Sequence, residues 1–238
     1  MKMKKNKLAE AISSGVELLS SLKSGNEEQV HQTEQLSIPK DDATFLEVTL
    51  DMGIGTFHVA GGSQEWLEGT FTYEQIEPTL AYHKEGERGE IHVSQKSSST
   101  VQGFKKKKNR WDIQLSENVP VDLDINTGVG EAHLDLKSLQ LGKVDIDTGV
   151  GDVTIDLRGN WTRNVRVELD TGIGNTKILL PSHTGVRLEV NKGIGKLKGN
   201  DLILTGESTY TNKAYQQKSE PVIDLELNMG IGNVEIER

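Results

Sequence analysis

One six-residue pattern recurs along the chain and limits what it can fold into. It reads LDMGIG at 50–55, INTGVG at 125–130, IDTGVG at 146–151, LDTGIG at 169–174, VNKGIG at 190–195 and LNMGIG at 227–232. In the central four copies the first glycines stand at 128, 149, 172 and 193, spaced 21, 23 and 21 residues. A recurrence of about 20 residues or more marks a stack of supersecondary units, none of which can bury its apolar face alone.

The flanks repeat as well. Counting back from the first glycine, the third and fifth residues are apolar in every copy: Leu50 and Val48, Ile125 and Leu123, Ile146 and Val144, Leu169 and Val167, Val190 and Leu188, Leu227 and Leu225. The residues between them are polar or charged, and this period of two describes a half-buried strand. Alternation resumes after the motif, as in Phe57 and Val59 or Val153, Ile155 and Leu157. The expected fold is all-β: a parallel, solenoid-like stack of strand–Gly-x-Gly–strand units, with a short N-terminal amphipathic helix. Its core is expected to hold Val144, Ile146, Val150, Val153, Ile155, Val167, Leu169, Ile173 and Ile178. The Val or Ile between the glycines is expected to plug that core at the bend.

The glycine pairs are Gly53 and Gly55, Gly128 and Gly130, Gly149 and Gly151, Gly172 and Gly174, Gly193 and Gly195, and Gly230 and Gly232. They are expected to supply positive φ for a sharp bend within the sheet. Two residues before each pair stands an Asp or Asn: Asp51, Asn126, Asp147, Asp170, Asn191 and Asn228. Such side chains accept hydrogen bonds from nearby backbone N–H groups and fix turns. A dinucleotide-binding reading fails, because no third glycine follows at the required spacing and a strand, not a helix, comes next. The string from Asp145 to Asp152 is oxygen-rich, but it lacks the spacing and closing Glu of a calcium-binding EF-hand.

Composition agrees with thin, repetitive β structure: hydrophobic residues make up 34% and aromatics 5%, with 25 glycines. The formal net charge of −9 argues against a nucleic-acid partner. With no cysteine there is no disulfide, thiolate site or cysteine nucleophile. No apolar run approaches the length of a membrane span, and the lysine-rich start lacks the apolar middle of an export signal. The expected location is the cytoplasm, or the periphery of the inner face of the cell membrane.

The chain divides into a basic amphipathic segment (1–23), a polar linker (24–43) and a repeat β domain (44–238) with insertions at about 62–118 and 200–220. Leu8, Ile12, Val16, Leu19 and Leu22 recur at helical spacing. That helix has three possible roles: capping the stack, self-association, or contact with an anionic membrane surface. A second basic cluster, Lys105, Lys106, Lys107, Lys108 and Arg110, is a candidate for the same anionic contact. The first insertion is expected to contain strands at 66–73, 79–84, 90–95 and 110–115.

Two side-chain sets offer chemistry. Four residues before the first glycine come Thr49, Asp124, Asp145, Glu168, Glu189 and Glu226, of which the five acids form a candidate interaction face if the rungs are in register. Lys143, Arg166 and Arg187 lie two positions along the same face and can offset them. A hairpin centred between Glu87 and Arg88 would set His83 opposite His92, a weak candidate metal pair. No nucleophile elbow or paired catalytic carboxylate stands out, so no cofactor and no enzymatic activity are expected.

The strings WDIQLSENVPVDLDINTGVGEAHLDL, VDIDTGVGDVTIDL and VELDTGIGNTKILLP resemble the toast-rack domain of bacterial envelope proteins related to LiaF, the cell-wall-active antibiotic response family. The resemblance covers about 44–238 and implies stacked parallel β layers and a role in envelope stress, where LiaF-type relatives restrain a two-component sensor. Those relatives carry transmembrane helices ahead of this domain; here a short amphipathic segment takes that place. The function expected is therefore a non-catalytic interaction or scaffold module with a protein partner. The alternatives are a metal-binding protein or enzyme using the His83/His92 hairpin or the acidic face, and a cell-surface adhesive protein.

Overall fold

The computed structural model describes residues 31–74, 77–95 and 109–238. In chain order the strands are β1 (Gln32–Ile38), β2 (Phe45–Ser63), β3 (Leu67–Tyr73), β4 (Pro78–Glu85), β5 (Arg88–Gln95), β6 (Arg110–Ser116), β7 (Pro120–Asp135), β8 (Gln140–Val150) and β9 (Val153–Asp156). There follow β10 (Val165–Ile173), β11 (Thr176–Leu179), β12 (Gly185–Ile194), β13 (Leu197–Gly199), β14 (Ile203–Leu204), β15 (Thr209–Thr211), a one-turn helix α1 (Lys213–Gln216), β16 (Val222–Ile231) and β17 (Val234–Glu237).

Each repeat is one bent rung. Before the glycines its strand joins a first layer, ordered β4–β5–β2–β7–β8–β10–β16–β12–β15–β14. After them it joins a second, ordered β1–β3–β6–β2–β7–β9–β11–β17–β13. Strands β2 and β7 are long enough to run through both. Rung-to-rung pairing is parallel, and antiparallel pairing is confined to the edges, where the insertions attach. The side chains three and five before the first glycine face those four and six after it, across one continuous core. At one end Trp111 fills that core edge-on to Phe57 and Phe71, with ring centroids 5.3 and 5.4 Å apart.

The rungs do not stack in chain order. The last copy, β16, lies between β10 and β12 and pairs in parallel with both. The second insertion causes this: β15 turns back antiparallel on the outer edge of β12, so the returning chain enters on β12's other side. Asn212 pins the detour. Its Oδ1 accepts from Val186 N (3.0 Å) and Tyr215 N (2.8 Å), and its Nδ2 donates to Thr184 O (2.8 Å).

Four expectations are corrected. Val150 and Ile173 are not core residues; they are 46% and 52% exposed, because the bend turns the residue between the glycines to the outside. Part of the linker assigned to 24–43 is strand: β1 pairs antiparallel with β3 and buries Leu36 and Ile38. Its polar residues face solvent on the other side, which hid the pattern. In the same stretch Asp41 accepts from Ala43 N (3.0 Å), Trp66 Nε1 (3.0 Å) and Tyr82 Oη (2.8 Å). These donors outweigh the burial that opposes ionisation and hold its carboxyl below the usual range.

The third correction is the β4–β5 register. The loop is the two residues Gly86 and Glu87, with Gly86 at φ 60°, so His83 faces Glu90 and Ala81 faces His92. A two-residue turn with positive φ at its first position is a favoured hairpin closure, and it separates the two histidines. The fourth concerns the first glycine of each pair, for which no positive φ is found; only the second has one, as at Gly151 with φ 149°. The four strands expected in the first insertion are present as β3 to β6. The N-terminal segment and Lys105–Lys108 lie outside the described residues.

Candidate binding groove

Register turns the sequence repeat into columns. Two residues before the first glycine, the outward column reads Asp51, Asn126, Asp147, Asp170, Asn228, Asn191 across six rungs. With strands about 4.8 Å apart it runs for about 24 Å. These residues do not cap turns as expected; they bond along the column. Asn126 Nδ2 donates to Asp51 Oδ1 (2.9 Å), Asn228 Nδ2 to Asp170 Oδ1 (2.7 Å) and Asn191 Nδ2 to Asn228 Oδ1 (3.0 Å). At the first rung His92 Nε2 lies 2.7 Å from Asp51 Oδ2. Amide beside carboxylate satisfies both groups.

Two carboxylates adjoin at one place only in this column, where Asp147 and Asp170 are neighbours with no amide between them. Burial first, and then the charges of Asp170, Asp124 and Asp145, push the Asp147 carboxyl above its ordinary value. Asp147 and Asp170 lie together in an open groove of about 1030 Å³ that follows the column and the glycines beside it. Among the described residues, the groove walls carry three carboxylates (Asp51, Asp147, Asp170) and no Lys, Arg or His.

Close packing of backbone forms the groove floor. A Cβ on Gly149 would stand 2.5 Å from Gly128 O, and one on Gly151 would stand 1.5 Å from Gly130 O. The five rungs after the first therefore require glycine because a neighbouring rung's carbonyl occupies the space of a side chain. The residues one before the glycine also line the groove, among them Thr127, Thr148 and Thr171, whose buried hydroxyls have no hydrogen-bond partner. The recurring Thr in three central copies was the signal for that column. Gln95, which closes the groove by accepting from Gly53 N (2.8 Å), gave no signal in the sequence.

The acidic face is also in register, in the order Asp124, Asp145, Glu168, Glu226, Glu189. Its charge is largely offset along the strands. Lys143 pairs with Asp145, Arg166 with Glu168 (3.9 Å), and Arg187 with both Glu189 (2.9 Å) and Asp224 (2.7 Å). His58 and His133 meet across adjacent rungs with ring centroids 4.9 Å apart, on the surface. Arg110 is held by both Asp112 oxygens at 2.7 Å, so it does not stand free for an anionic surface. Among the described residues no cluster of three or more His, Asp or Glu could hold a metal ion, and no helix is long and apolar enough to cross a membrane.

A family model described as the N-terminal domain of toast_rack matches residues 25–179. The chain belongs to the toast-rack family. The C-terminal model of the cell wall-active antibiotics response protein LiaF matches residues 129–236 of this toast-rack chain. A crystal structure described as "a putative cell adhesion protein" from Clostridium sporogenes ATCC 15579 is similar, at 28% identity and TM-score 0.83, over 87% of this chain and 99% of that one. A second, described as "a putative adhesin" from Bacteroides fragilis NCTC 9343, shares 12% identity over 87% and 97% of the two chains, at a TM-score of 0.23 that carries no argument. No curated protein matches.

Proposed function

We propose that this chain is a non-catalytic interaction module of the bacterial cell-envelope stress response, and that its groove receives a basic segment of a protein partner. The observation that supports this most is a regular groove crossing six rungs, with three carboxylates and no cation among the described residues of its walls. The match of residues 129–236 to the LiaF C-terminal model supports the setting. A face of this kind suits an extended chain: the rungs repeat every ~4.8 Å, and the adjoining Asp147 and Asp170 carboxylates favour Lys or Arg. The reading places the chain in the cytoplasm, acting at the inner face of the cell membrane.

The test combines capture and physiology. Full-length protein and an Asp147→Lys/Asp170→Lys variant are used as bait in cross-linked cells, and a deletion strain carrying either form is challenged with a cell-wall antibiotic. The expected result is a partner and an envelope-stress output that the wild type restores and the variant does not. An unchanged output in the deletion strain overturns the proposal. A second reading, cell-surface adhesion, is favoured by the 0.83 TM-score to the Clostridium structure. Fractionation separates the two, since only adhesion requires the chain to be accessible to protease on intact cells.

A further inference from the structure

The two ends of the stack are finished differently. At the β2 end the bend is sealed by side chains and one backbone carbonyl. Gln95 Oε1 accepts from Gly53 N (2.8 Å), Asn109 Nδ2 donates to Ile54 O (2.8 Å), and Thr56 N donates to Asn109 O (2.9 Å). At the β12 end, β15 covers the outer edge only from Arg187 to Glu189, and Ser208 O accepts from Val190 N (2.9 Å). Beyond Val190, β12 and β13 pair with β16 and β17 on their inner side and, among the described residues, with no strand on their outer side. Ile194 reflects this: it is 70% exposed, against 52% or less for its five counterparts.

The repeat fixes what the open edge offers. In the interior rungs the second glycine donates towards the β12 end: Gly151 N to Ile173 O (2.8 Å), Gly174 N to Ile231 O (2.9 Å) and Gly232 N to Ile194 O (2.9 Å). The residue two further on does the same, as Val153 N to Asn175 O (2.9 Å) and Val234 N to Lys196 O (2.8 Å). The equivalent donors of the last rung are Gly195 N and Leu197 N. Gly195 O accepts from the exposed Lys192 Nζ (3.0 Å), a bond that an incoming N–H can replace. Paired backbone groups of this kind are the template for one more parallel strand.

Sterics and charge then select the strand. A Cβ on Gly193 or Gly195 would collide with Gly230 O or Gly232 O. The same relation, carried one rung outward, sets Gly193 O and Gly195 O where an incoming strand can have only glycine. An aliphatic residue between those glycines would lie beside Ile194. The charged residues from Val190 to Gly199 are Lys192, Lys196 and Lys198. Lysine on an edge disfavours pairing with a like edge, so a second copy presenting the same three lysines is a poor match. Opposite charge on the neighbouring strand is favoured instead.

We propose that the outer edge of residues 191–199 accepts, as a seventh rung, an acidic extended segment of another protein that carries glycine, an aliphatic residue and glycine in succession. This edge is distinct from the Asp147–Asp170 site, and the proposal does not rest on the partner assigned to the groove.

A labelled peptide with the sequence of residues 147–156, DTGVGDVTID, is the probe; it has three aspartates and no basic residue. In the register of the stack its two glycines fall beside Gly193 and Gly195, and its Asp152 beside Lys196. It should bind the full-length protein saturably below about 1 mM. The same peptide with Gly149→Ala/Gly151→Ala should bind at least about tenfold more weakly, as should the original peptide to the protein variant Lys192→Glu/Lys196→Glu/Lys198→Glu. Hydrogen exchange read at single amides locates the contact: Gly195 and Leu197 should slow at least about tenfold in the complex, while β1, at the other end of the stack, is unchanged. Absence of saturable binding, equal affinity of the alanine peptide, or protection elsewhere than 191–199 would each overturn the proposal. Self-association of the full-length protein that disappears in the lysine variant would overturn it in favour of a second copy.

Discussion

At the scale of single residues, the Asp/Asn column shows how one substitution changes a repeated face. Asn126 is bonded to Asp51 and Asn228 to Asp170, whereas Asp147 adjoins Asp170 with no amide between them. Because the folded-state pKa of Asp147 is raised, the folded form takes up this proton before the unfolded form as pH falls. The penalty is therefore present at neutral pH and is lost as pH drops through the folded pKa towards the unfolded value. Asp147→Asn should stabilise the protein at pH 7 by no more than about 1 kcal/mol, since the site is exposed and screened. In a domain of this size that is a rise of about 2–4 °C in Tm, shrinking with added salt and with acid. Thermal unfolding at a series of pH values measures it; a gain that grew towards acid would contradict the raised pKa. The buried Thr148 hydroxyl, without a partner, makes a complementary case. Thr148→Val keeps its shape and removes an unsatisfied polar group, so denaturant unfolding should show a gain of about 1 kcal/mol.

At the scale of the element, the strands were legible and the bend was not. Period-two alternation located the flanks of every rung because each has one face in the core and one in solvent. The residue between the glycines followed the same arithmetic in the sequence, yet Val150 and Ile173 emerged outside, since a bend cancels the alternation that periodicity assumes. Strand β1 escaped notice because only Leu36 and Ile38 are buried in it, too few to show a period. The glycines were recognised for the wrong half of their reason: a sequence shows that side chains are absent, but not that a neighbouring carbonyl occupies their place. Gly149→Ala isolates this effect, because no positive φ applies there and the contact at 2.5 Å is with backbone. It should cost ~3 kcal/mol or more, at the upper end of overpacking, and lower the yield of folded protein. Loss of the Asn212 side chain is the opposite kind of damage. Asn212→Ala leaves Val186 N, Tyr215 N and Thr184 O without its bonds and should cost about 2 kcal/mol, with proteolysis opening first in 200–220.

At the scale of the whole molecule, the order of the rungs sets what each segment supports. Six copies in a row suggest a stack that could be shortened from its C-terminal end by one unit, since in a linear repeat each unit contacts only its neighbours. The structure makes the last copy an interior one: β16 is bonded on one side to β10 and on the other to β12, and β17 lies between β11 and β13. Nothing in the motif spacing reports this, because the crossing depends on β15 turning back on β12. Removing residues 222–238 therefore does not trim an end. It exposes the edges of β10 and β12 together and strips the core of Ile223, Leu225, Leu227, Val234 and Ile236, all buried. Fully burying side chains of this kind stabilises by about 1.5–3 kcal/mol each, so the loss of five is comparable to the ~5–15 kcal/mol that holds a typical domain. The truncated chain should fail to fold cooperatively across all of 185–221 and should aggregate through its open edges. Circular dichroism with limited proteolysis checks this: a soluble product retaining protected β12 and β15 would show that the stack tolerates the loss of its interior rung. The Asp170–Asn228–Asn191 stretch of the groove would disappear in the same deletion, so binding and folding are tied to the same late segment of chain.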